Sequence, residues 1–113
     1  MSRDEAILLD IARALKLIIA FTRDTDPTAF FDDAKTQSAV LHQLLVLGEA
    51  VKRLTSEFRA EHASVPWVLI AGMRDNLIHE YDTVDLDEVW RTATHDVPRL
   101  LATLRTWLPP SKS

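Results

Sequence analysis

Cysteine is absent from this chain, so neither a disulfide frame nor a thiolate metal site is available; the absence fits a reducing cytoplasm. Glycine occurs only twice in 113 residues, and strand-like alternation is missing. Apolar residues recur instead at threes and fours almost throughout, which is a helical period. Long hydrophobic runs are lacking too. The stretch LKLIIAF falls far short of the roughly 20 residues a membrane span needs. The N-terminus shows no basic, then apolar, then small-residue pattern, so no secretory signal is expected and the expected location is cytoplasmic. There is no basic surplus: the net charge is -4, which argues against a general nucleic-acid binder. At this length a single domain over residues 1–113 is expected, able to bury roughly two-thirds of its unfolded surface.

The helical periods divide the chain. A first helix is expected from Arg3 to Thr22, opened by a capping box of Ser2 and Glu5. TRDTDPTAFF then reads as a break, because Asp26 precedes a proline. A second helix is expected from Asp33 to Leu54. It carries two apolar stripes, which marks a central or interface position. Gly48 lies inside it at a cost of about 1 kcal/mol against alanine, and close approach of another backbone would explain it. After a polar stretch with a short helical turn at Glu57 to Glu61, Pro66 is placed in the first turn of a third helix, which is expected from Trp67 to about His79 with Ser64 as its cap and Tyr81 to Asp85 as the connection that follows. A fourth helix is expected from Leu86 to Leu108. It is capped by Asp85 with Glu88, kinked at Pro98 and stopped by Pro109-Pro110. The fold class is therefore all-α, an antiparallel bundle of four main helices.

The third helix holds the informative segment, WVLIAGMRDNLIHEY, from Trp67 to Tyr81. On a helical wheel Trp67, Ile70, Leu77, Ile78 and Tyr81 fall within about 60° of Arg74. The guanidinium thus projects from the apolar stripe. An arginine cannot shed its proton and is costly to bury unpaired. Its charge must be answered by a carboxylate such as Glu49, Asp75 or one on the last helix, by carbonyls, or by an outside anion. A tyrosine on the stripe, as Tyr81 is, is more often a core residue with its hydroxyl at the rim.

Among the four histidines, His42, His62 and His95 lack a second ligand at helical spacing and read as surface or boundary residues; no metal site is expected. His79 admits two readings. If the helix stays regular, His79 lies about 140° from Arg74 and meets the negative end of the helix dipole. If the helix loosens near Ile78, His79 turns into the same cleft as Arg74. Arginine can stabilise a phosphate or a developing phosphorane, and a histidine can move protons at a ribose 2′-OH or a leaving 5′-oxygen. An arginine and a histidine without a metal are the minimum for RNA cleavage by 2′-OH attack.

The runs GEAVKRLTSEFRAEH and VPWVLIAGMRDNLIHEYDTVDLDEVW, followed by Asp96-Val97-Pro98, resemble the HepT-like branch of the HEPN proteins over nearly the whole chain. Arg74-Asp75-x3-His79-x-Tyr81 matches that family's Arg-x4-6-His motif with its polar residue and added tyrosine. The resemblance implies an all-helical homodimer in which the motifs of two protomers meet in an interface cleft. It implies a metal-independent endoribonuclease needing no cofactor, the toxin of a toxin–antitoxin pair. The implied partner is a minimal nucleotidyltransferase antitoxin that silences the toxin by AMP transfer to Tyr81. By the same carry-over Arg74 and His79 are catalytic, Asp75 supports the site, and Tyr81 is both a site residue and the modification target. A stripe centred on Arg74 would then face the subunit interface.

Charge runs against this reading. From Arg74 to Glu88 there is one basic residue against six acidic ones: Asp75, Glu80, Asp82, Asp85, Asp87 and Glu88. Such a rim repels RNA at low salt unless the carboxylates point away or Lys52, Arg53 and Arg91 form a basic track. The alternative is a non-catalytic helical module that docks and positions the nucleotidyltransferase, the acidic rim meeting a basic partner surface.

Overall fold

The chain is described for residues 1–108 by a computed structural model, and among these residues all regular structure is helical. Helix α1 spans Arg3–Thr22, α2 Pro27–Phe31, α3 Ala34–Arg53, α4 Ser56–Glu61 and α5 Trp67–His79. A 3₁₀ turn at Tyr81–Thr83 leads to α6, Leu86–Arg91, then a π turn at Thr92–Asp96 and α7, Val97–Leu104.

Helix α1 begins with the expected capping box, in which the Ser2 hydroxyl accepts from the Glu5 amide and the Glu5 carboxylate from the Ser2 amide. Its apolar stripe is inside: Ile11, Leu15 and Ile18 are fully buried against Val40, Leu44 and Val51 of α3 and Leu104 of α7. Each such side chain contributes about 1.5–3 kcal/mol by leaving water. Helices α1 and α3 run antiparallel. Near the start of α1, Asp4 accepts from both the amide and the hydroxyl of Thr55, and Arg3 donates to the Arg53 carbonyl at the far end of α3. Those two bonds hold the Asp4 carboxyl below its usual value, the Thr55 amide contributing most. Thr55 is in turn the N-cap of α4, so this clasp ties three elements together.

Three features depart from the expectations. The break after α1 contains a helix of its own: Asp26 accepts from the Ala29 amide, and Pro27 takes the first helical position. An Asp-Pro pair ends one helix and also starts the next well, because proline gives up no needed donor there. The helix carries Phe30 into full burial, its ring 5.2 Å from that of Trp90. Secondly, Pro66 is itself the N-cap of α5 and no side chain caps that end, so Ser64 does not serve. Thirdly, the long last helix is interrupted. Proline at 98 has no amide to donate and crowds the carbonyl four residues back. The chain accommodates it by widening the preceding turn, with the Val97 amide reaching the Thr92 carbonyl. Helix α7 then ends at Leu104, short of Leu108, because the Thr106 hydroxyl takes the Thr103 carbonyl and Trp107 folds onto Trp67, Phe58 and His62. The stop expected at Pro109-Pro110 lies outside the described residues.

Candidate active site

Helix α5 packs on α3, and Arg74 crosses Gly48 in that contact. A Cβ built on Gly48 would lie 2.2 Å from Arg74 Cβ and 2.9 Å from its Cγ. The glycine therefore sets how near the two helices come, which accounts for its presence inside a helix. The stripe centred on Arg74 thus faces α3 of the same protomer, with Trp67 and Leu77 buried along it. Apolar side chains remain in solvent on this helix: Ile78 of the stripe is 47% exposed, and residues on other faces of α5 are more so. Val68 is 78% exposed and Leu69 72%.

Packing buries the stem of Arg74 but leaves its head at the edge, with the side chain 28% exposed. Its charge is answered inside the protomer, by two of the three candidates the sequence offered. Nη2 lies 3.1 Å from Glu49 Oε2, and Nη1 donates to Asp75 Oδ1 at 2.9 Å. A second cation shares that oxygen: Lys52 Nζ donates to Asp75 Oδ1 at 2.8 Å. The Lys52 ammonium, and next the Arg74 guanidinium, hold the Asp75 carboxyl below the usual carboxylate range, so it is ionised at neutral pH. The Lys52–Asp75 pair was not anticipated. Lys52 follows Gly48 by four positions on one face of α3, and that spacing is the signal that could have found it.

His79 is the last residue of α5 and is exposed. The helix stays regular up to it, since the Glu80 amide still donates to the Asn76 carbonyl at 2.9 Å. The first reading of His79 therefore holds within one protomer: the imidazole lies well around the helix from Arg74, and no hydrogen bond joins them among the described residues. It shares its face with Val68 and Gly72, which follow the i, i+4, i+11 spacing of one stripe. Open space surrounds Gly72, where an added Cβ would meet nothing within 4 Å. At Glu80 the backbone leaves the helix, and Tyr81 opens the 3₁₀ turn, 46% exposed. The wheel that placed Tyr81 on the stripe fails because the helix has already ended.

The acidic rim is partly neutralised where it matters. Asp75 lies between two cations, Glu88 pairs with Arg91, and Asp85 accepts from the Asp87 and Glu88 amides at the start of α6. Glu80, Asp82 and Asp87 are exposed. The other histidines take no part: His42 and His95 are exposed, and His62 packs between the tilted rings of Phe58 and Trp107 with ring centroids at 4.3 and 4.1 Å. No group of three potential ligands suited to a metal ion occurs among the described residues.

Fold and site together define an all-α domain that presents a partly buried arginine within α5, an exposed histidine at its end and an exposed tyrosine in the turn that follows. The family model described as Ribonuclease HepT-like matches residues 11–107, and the chain belongs to this HEPN-type family. It is 44% identical over 93 residues to a protein of Thermococcus cleftensis named "Probable ribonuclease HepT", covering 82% of this chain and 84% of that one. A protein of Methanocaldococcus jannaschii named as a candidate RNase is 40% identical over 96 residues, 85% of this chain and 83% of its own length. Another candidate RNase of that organism is 42% identical over 93 residues, 82% of this chain and 77% of its own. No solved structure gives a significant match.

Proposed function

We propose that this chain is an endoribonuclease that cleaves RNA without a metal, by attack of the ribose 2′-OH on the adjacent phosphate. The observation that carries the reading is Arg74: a guanidinium fixed by packing against Gly48, with its head at the protein surface and donors to spare. Such a group stabilises charge developing on a phosphorane. His79, exposed at the helix end, moves the proton, and Asp75 holds the guanidinium in place. The family match and the ribonuclease names of the relatives support the reaction class.

The finer reading is a toxin of a toxin–antitoxin pair, acting in the cytoplasm as a homodimer. Val68, Gly72 and His79 lie on one face of α5, and the exposed Val68 and Leu69 side chains are apolar surface suited to burial against a second copy. On this arrangement His79 of each protomer is carried to the interface cleft where the two motifs meet. A nucleotidyltransferase antitoxin would silence the pair by transferring AMP to Tyr81, whose exposure leaves its hydroxyl open to modification. The test is growth inhibition on expression without a partner. Wild type should inhibit growth while Arg74→Ala and His79→Ala do not; equal toxicity of all three would remove the proposal.

A further inference from the structure

Asp75 Oδ1 is held by two cations at once, Lys52 Nζ at 2.8 Å and Arg74 Nη1 at 2.9 Å. The two nitrogens are therefore near neighbours, close enough to reach a single oxygen. An ammonium carries three N–H donors and a guanidinium five. Asp75 takes one from each, and Glu49 stands against Nη2. The remaining donors have no protein partner among the described residues, and the Lys52 side chain is 38% exposed. The two carboxylates are the most exposed members of the cluster, Glu49 at 54% and Asp75 at 46%, so water already screens them. The other basic residues that could form an RNA track are placed differently. Arg53 is paired with Asp10 and Arg91 with Glu88, and neither shares a partner with Arg74.

We propose that Lys52 is a second RNA-binding residue of this site, gripping one backbone phosphate together with Arg74, while Asp75 fixes the spacing of the two cations. The proposal rests on the ribonuclease reading and adds a residue that the Arg-His-Tyr motif does not contain.

The test is binding of a fully 2′-O-methylated single-stranded RNA, which cannot be cut, measured by fluorescence anisotropy across a salt series. Lys52→Met should reduce the slope of log affinity against log salt by about 0.7, the value of one phosphate contact on a single strand. Lys52→Arg should retain the wild-type slope. Circular dichroism on each variant checks the fold. An unchanged slope in Lys52→Met, or a slope that Lys52→Arg fails to keep, overturns the role of Lys52. If wild type still cleaves unmodified RNA in that case, the ribonuclease reading stands without it. Wild-type protein that neither binds nor cleaves RNA brings down both.

Discussion

Gly48 and Arg74 occupy the same contact between α3 and α5, and the arginine fits only because the glycine has no side chain. The nearest atom to an added Cβ is Arg74 Cβ, which is tied to the backbone and cannot rotate away. Gly48→Ala would gain about 1 kcal/mol of helix propensity but should lose more, since overpacking of this kind costs about 1–3 kcal/mol. The expected net result is a lower Tm and a larger fall in activity than the Tm change alone explains, because α5 and its guanidinium are displaced together. A thermal melt and a cleavage assay on the variant check this; an unchanged Tm with full activity would contradict the contact.

Removing the head groups should separate activity from folding. Arg74→Ala breaks the contacts to Glu49 and Asp75 but sits at a site already partly exposed, and His79→Ala removes an exposed side chain. Both variants should stay helical by circular dichroism. Cleavage should drop at least about 100-fold for His79→Ala, the lower range for loss of a proton-transfer group. A smaller loss would assign His79 to a structural role.

The exposed face of α5 predicts the oligomer. Val68→Asp puts a charge where wild type has an apolar side chain 78% exposed in the protomer, so folding should be unaffected. Wild type should sediment as a dimer and the variant as a monomer. A wild-type mass for the variant would place the interface elsewhere.

Tyr81→Phe tests the modification. The variant keeps the ring and loses the hydroxyl that would accept AMP. It should remain toxic when the nucleotidyltransferase is co-expressed, and its intact mass should show no adduct. Full neutralisation of Tyr81→Phe would remove Tyr81 as the target while leaving the nuclease proposal in place.

The Asp4–Thr55 clasp gives a pH dependence with a definite sign. Asp4 is held below its ordinary value of 3.8 in the folded chain. A depressed carboxyl adds stability above the unfolded pKa and loses it as pH falls through the folded value. Asp4→Ala should therefore destabilise the protein near neutrality by about 1–2 kcal/mol, for the two hydrogen bonds lost. The gap between wild type and variant should shrink as the pH is lowered from about 5 towards 2. Urea titrations at several pH values measure the difference; a gap independent of pH would assign it to packing.

The legible part of the molecule is the part governed by period and capping. The bounds of α1 and α5 coincide with their expected ones, and those of α3 differ by a residue at each end, because long apolar stripes and Ser2, Asp33 and Pro66 mark them locally. Close approach at Gly48 was also legible, since a glycine inside a long amphipathic helix needs a reason. What was not legible depends on the relative placement of helices. A wheel puts Val68 and Leu69 off the Arg74 stripe, but it does not tell which of the apolar faces of α5 is covered. Only the packing on α3 distinguishes a buried Trp67 from an exposed Val68 beside it. Lys52 and Asp75 are distant in sequence, and nothing in either local stretch announces that they meet. Tyr81 was misplaced because a helix ending at His79 looks on a wheel like one that continues.

The central claim is the chemistry, and its most direct measurement is RNA cleavage by the purified chain, expressed without a partner so that Tyr81 is unmodified, with a chelator present. The account predicts cutting that survives chelation and leaves 2′,3′-cyclic phosphate ends. Protein whose intact mass shows no adduct and which cuts no RNA would contradict it, and would leave the chain as a helical module that docks and positions a nucleotidyltransferase.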